Sequence, residues 1–122
     1  MKTLVQLFFC VLISSTLYGQ DVKGEWSGAL HVQGASFRIV FNVVKEDNQY
    51  KATMDSPDQN TNGIPVTSVS FNHPNIKLEI LPIGMVYEGI MTDNQITGKW
   101  MQAGQTFPLI LLKTESPSRE TK

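Results

Sequence analysis

The sequence predicts an all-β protein: a single antiparallel meander of about eight strands closing into a small lipocalin-like barrel, with a β-sandwich as the alternative. Two observations carry this expectation. From Glu25 to Lys113 the apolar residues recur with period two rather than 3.6, and turn-forming residues interrupt them roughly every ten positions. A third observation sets the strand directions. The connections are mostly too short for a parallel crossover, so chain neighbours pair antiparallel.

Taken in order, Trp26–Gln33 places Trp26, Gly28, Leu30 and Val32 on one face and Ser27, Ala29, His31 and Gln33 on the other. After Gly34, Phe37–Lys45 alternates Phe37, Ile39, Phe41 and Val43 against Arg38, Val40, Asn42 and Val44. Glu46-Asp47-Asn48 turns the chain, and Tyr50, Ala52 and Met54 then oppose Lys51, Thr53 and Asp55. A polar loop is expected from Asp55 to Gly63, followed by a strand near Pro65–Phe71. Asn72-His73-Pro74-Asn75 leads into Ile76, Leu78 and Ile80, which alternate with Lys77 and Glu79. Met85–Thr92, Gln95–Gln102 and Thr106–Lys113 complete the set, joined at Asp93-Asn94 and Ala103-Gly104-Gln105. Closing such a meander removes its exposed edges.

The chain ends have other compositions. Lys2, the apolar run Leu4–Ile13 broken only by Gln6, and Ser14-Ser15-Thr16 form the three parts of a secretory signal, so residues 1–20 read as cleaved after Gly19 or Gln20. The run is shorter than the about 20 residues a bilayer-spanning helix needs. Cys10 lies inside the run rather than at its end, which argues against a lipid anchor. The expected product is exported to the periplasm or the medium. Its domain covers residues 21–113, and 114–122 form a polar tail. Cys10 is the only cysteine, so the exported chain has no thiol chemistry and no disulfide. Without Lys2 it carries nine basic against eleven acidic residues, scattered singly, which excludes a nucleic-acid interface. No second apolar segment follows, so a monomer that is not embedded in a membrane is expected.

An internal echo runs through Trp26-x-Gly28-x-Leu30, Tyr87-x-Gly89-x-Met91 and Ile96-x-Gly98-x-Trp100. Glycine inside a strand implies either sharp coiling or something packed closely above it. Coiling that lets a barrel close is one reading, and a ligand cavity is the other. The abundance of large residues, among them Trp26, Phe41, Tyr87 and Trp100, favours a filled interior.

Catalysis finds little support. Acyl transfer requires a nucleophile, a base in reach and an orienting acid. No Gly-x-Ser-x-Gly elbow occurs, and the two histidines fall on a polar strand face (His31) and in a turn (His73). Asp58-x-Asn60-x-Asn62-Gly63 matches the first half of a calcium loop, but the position of its final glutamate is Val69. No metal and no cofactor are expected. The loop reads instead as Asx and proline turns over one barrel end.

Several runs act together: Gly24-Glu25-Trp26-Ser27-Gly28, Ala52-Thr53-Met54-Asp55-Ser56-Pro57-Asp58-Gln59, Gly63-Ile64-Pro65-Val66, Tyr87-Glu88-Gly89 and Gly98-Lys99-Trp100-Met101-Gln102. In these, from Val22 to Lys113, the chain resembles the small secreted β-domain that precedes the catalytic domain of a group of bacterial α/β-hydrolases. Gly24-Glu25-Trp26 also resembles the first-strand motif of lipocalins, where the tryptophan helps close the barrel base. The first resemblance implies a non-catalytic accessory module, because the hydrolase's catalytic residues have no counterpart here. Docking onto a secreted hydrolase is the leading expectation, and a lipocalin-like carrier of a small apolar ligand is the alternative. Asp55, Ser56, Asp58 and Gln59 at the barrel mouth are the candidate binding residues, with Arg38 as a strand cation able to pair with one of the carboxylates.

Overall fold

The computed structural model describes residues 21–114, so the signal-peptide reading and the tail beyond Thr114 lie outside the described residues. The described residues form nine strands: β1 (Gly24–Val32), β2 (Ala35–Glu46), β3 (Gln49–Ser56), β4 (Thr61–Pro65), β5 (Ser68–Asn72), β6 (Asn75–Ile80), β7 (Met85–Thr92), β8 (Gln95–Gln102) and β9 (Gln105–Thr114). Short 3-10 turns at Pro57–Gln59 and Leu81–Ile83 complete the set. All pairings are antiparallel, in one sheet of order β4-β3-β2-β1-β9-β8-β7-β6-β5, curled into a half-barrel. Tight hairpins hold the register. Asp47 and Asn48 both take positive φ, 50° and 65°, and Gln33-Gly34 and Ala103-Gly104 do likewise, as two-residue turns that match strand twist require.

Nine strands occupy eight positions around the axis. Were every connection to reverse the chain, β1 and β9 would run parallel, yet Glu25 pairs antiparallel with Thr114 and Ser27 with Leu112. One connection therefore does not reverse. It is the two-residue link Val66-Thr67, whose flanking strands do not pair with each other. The Val66 amide donates to the Ala52 carbonyl of β3 (3.0 Å), and the next amide, of Thr67, donates to the Glu79 carbonyl of β6 (2.7 Å). β4 and β5 are thus two halves of one strand that leaves β3 for β6 midway. The single strand expected at Pro65–Phe71 is split at this point. The expected Asp55–Gly63 loop shrinks to a turn at Pro57–Asn60, because β3 runs on to Ser56 and β4 starts at Thr61. Closure is accordingly incomplete, with β4 and β5 as sheet edges.

Inside, Trp26, Phe41, Leu78, Met85, Tyr87, Ile96, Leu109 and Leu111 are all at most 1 % exposed and make up the middle of the core. The base of the barrel, where the β2–β3, β5–β6 and β7–β8 turns lie, is closed by Val22. Its carbonyl accepts the Trp26 indole N–H at 2.9 Å. The glycine echo is a coiling device. A Cβ on Gly28 would collide with the Ile110 carbonyl, one on Gly98 with the Glu88 carbonyl, and one on Gly89 would come 2.6 Å from Ile96 Cγ2. The space over Gly98 is filled by the Tyr87 phenol, whose O–H donates to the Leu109 carbonyl at 2.8 Å.

Candidate functional site

The break in the fourth strand opens the barrel on its mouth side. Because β4 follows β3, the β5-side ladder of β6 ends at Glu79, and the Leu81–Ile83 turn lies where that ladder would otherwise continue. Between them is a cleft of about 310 Å³. Its walls are apolar side chains from five strands and the Leu81–Ile83 turn, chiefly Leu30, Phe37, Met54, Ile64, Ile83 and Trp100. Its polar members are Ser56, Gln59, Thr61 and Gln102, and none of the lining residues is ionisable.

Most of these polar groups are already engaged with one another. The Ser56 hydroxyl, only 2 % exposed, donates to Gln59 Oε1 at 2.8 Å. The Trp100 indole N–H donates to Gln102 Oε1 (3.0 Å), and Gln102 Nε2 in turn donates to the Ile83 carbonyl (3.1 Å). Gln102 therefore fixes both the indole at the floor and the turn at the rim. Buried polar groups are paired in this way because an unpaired one costs about 1–3 kcal/mol. The result is a fixed apolar concavity suited to an uncharged, largely apolar group.

The five residues singled out from sequence divide between the cleft and the outer face, with Arg38 on β2 and the others on β3 and the turn after it. Ser56 and Gln59 line the cleft together. Asp55 faces outward, where its Oδ1 accepts the Gly63 amide (2.7 Å) and its Oδ2 the Asn42 side-chain amide (3.2 Å). Asp58 is exposed and its Oδ2 accepts the Arg38 backbone N–H at 2.8 Å. Arg38 thus meets a carboxylate through its main chain. The ion pair anticipated for its guanidinium is not formed, and the two ion pairs among the described residues join Lys77 to Glu79 and to Glu88. The reason is positional. β3 ends at Ser56, before it could cover Arg38, and the Asp58 side chain supplies the acceptor that the missing strand would have given.

Sequence reasoning placed Trp100 in the core and left Gln102, Ile83, Thr61 and Ile64 unassigned. The alternation Trp100-x-Gln102, a large aromatic and an amide on one face at a strand end, was the signal available. Among the described residues no group of three or more His, Cys, Asp or Glu stands close enough to hold a metal ion. No protein-family model, curated protein or solved structure matches this chain.

Proposed function

We propose that this protein is an exported, non-catalytic binding module, of the kind that precedes the catalytic domain of α/β-hydrolases, and that it engages its partner through the barrel mouth. One observation carries the reading: the mouth cleft is walled by apolar side chains, lacks any ionisable residue and has its polar groups tied to one another. An apolar side chain or short apolar segment of a partner fits such a surface, and no charged substrate does. The volume of about 310 Å³, at the lower end of ligand pockets, favours a second reading, carriage of a small apolar molecule.

Titration with the neutral fluorophore N-phenyl-1-naphthylamine tests the mouth directly. Emission should rise saturably on the wild-type protein. In Ile83→Trp, whose indole would occupy the rim from an exposed turn, affinity should fall by at least tenfold with the melting temperature unchanged. Equal binding to both proteins would remove the mouth from consideration. Native mass spectrometry of the exported protein separates the two readings, since a carrier retains a small apolar mass and a docking module arrives empty.

A further inference from the structure

The same strand break leaves a second, larger opening in the base half of the barrel. Between β3 and β5 lies a cleft of about 860 Å³, with Gln49, Lys51, Thr67 and Ser68 on its walls and Tyr50 and Phe71 at its floor. Among the described residues, β3 pairs with β4 only from Thr53 onward and β5 pairs with β6 alone, so each presents an unpaired sheet edge to this space.

Strand alternation fixes which backbone groups face it. The two-residue turn at Asp47-Asn48 makes Glu46 and Gln49 a hydrogen-bonded pair. Gln49, Lys51 and Thr53 therefore bond to β2, and the N–H and C=O of Tyr50 point the other way. Counting in the same manner from the His73-Pro74 turn, Ser68, Ser70 and Asn72 bond to β6, and the groups of Val69 and Phe71 face the cleft. The two edges do not close on each other. The Tyr50 and Phe71 rings meet edge-to-face at 5.8 Å as a wedge on the core side, and Tyr50 is held further by its O–H donating to Asp21 at 2.9 Å.

Unpaired N–H and C=O groups repeating every second residue along an edge are matched by another extended chain, which carries its own at that spacing. β4 is shielded against such pairing by Pro65, but β5, Ser68-Val69-Ser70-Phe71-Asn72, has neither charge nor proline, the usual protections of an edge strand. We propose that this cleft is a strand-acceptor site, in which an extended, uncharged segment of a partner protein adds to the free edge of β5. Alternate residues of the segment are apolar, toward Tyr50 and Phe71, and the intervening ones are polar and uncharged, toward solvent. A basic segment is disfavoured because Lys51 is the one charged residue on the lining. The site is distinct from the mouth and does not depend on its function.

The test is an NMR titration of the 15N-labelled protein with an acetylated, amidated eight-residue peptide alternating threonine and valine. A second peptide of the same sequence is N-methylated at every other residue, on the edge that would pair. The first should shift the amides of Tyr50 and of Ser68–Asn72 and slow hydrogen exchange at Val69 and Phe71 at least tenfold. The methylated peptide should do neither. Val69→Pro, which deletes one cleft-facing N–H and leaves the β6 ladder whole, should weaken binding at least tenfold. Should that variant unfold, the peptide pair still decides. Equal shifts from both peptides, no shift up to millimolar peptide, or shifts confined to Leu30 and Trp100 at the mouth would each overturn the proposal. So would exchange at Val69 that is already slow without peptide and slows further with protein concentration, since a second copy would then occupy the edge.

Discussion

Tyr87 shows how much a single residue decides in a core this full. Its ring is 0 % exposed, it packs on Phe41 at 6.0 Å between ring centres, and its phenol lies over Gly98 while donating to the Leu109 carbonyl. Burial pushes the phenol far above its ordinary value near 10. The folded state thus holds this proton more tightly than the unfolded chain does. Stability from this source is complete below about pH 10 and is lost as pH rises further, by up to about 1.4 kcal/mol per unit. Tyr87→Phe should cost about 1–3 kcal/mol at neutral pH, because the Leu109 carbonyl loses its donor. It should also flatten the alkaline loss. Urea melts of both proteins at pH 7, 9 and 10.5 measure the two effects together, and an alkaline slope unchanged by the substitution would assign it to another group.

At the scale of elements, the β3–β4 pairing shows why one part of the fold was hidden. Its register passes from Met54 opposite Ile64 to Ser56 opposite Thr61, so β4 carries one extra residue there. Gly63 takes φ of +70° in the bulge, and its amide is satisfied by the Asp55 carboxylate. Asp55→Ala should therefore lower stability by about 1–2 kcal/mol and speed exchange of the Gly63 amide, while Asp55→Asn, which keeps an oxygen acceptor, should recover most of the loss. Thermal melts with amide exchange would expose the error if alanine behaved as wild type. β1, β2 and β7–β9 were legible because each alternates strong inward residues, such as Ile39, Phe41 and Val43, between turns of Asp, Asn and Gly. Thr61–Pro65 offers only Ile64 as an inward signal, and its strand character depends on a carboxylate eight residues upstream. The site divides in the same way. Ser56 and Gln59 were visible because their loop is locally distinctive, whereas Ile83, Trp100 and Gln102 reach the mouth from elements whose register no local pattern records.

The molecule as a whole is organised by the break at Val66-Thr67 and the seam between β1 and β9. Read in sheet order from β5 through β9 and β1 to β4, the fold is a meander in which every pair is a chain neighbour except β9 with β1. That exception joins Glu25 to Thr114, 89 residues apart, with the Thr114 hydroxyl also donating to the Glu25 carbonyl at 3.2 Å. A circular permutant that opens the chain between Val66 and Thr67 and joins the old ends by about six residues makes this last pairing local. It breaks no ladder, since β4 and β5 do not pair. Closing a loop of about 89 residues instead of about six costs roughly 2.4 kcal/mol more in chain entropy. If the transition state has formed about 0.7 of the native contacts, refolding should accelerate by about tenfold or somewhat more. Stopped-flow refolding of the two forms measures this, with matching amide spectra establishing that the native ladders are kept. An unchanged rate would mean that β9 meets β1 only after the barrier. The half-barrel would then fold from its two meander halves, with the β1–β9 seam closing last.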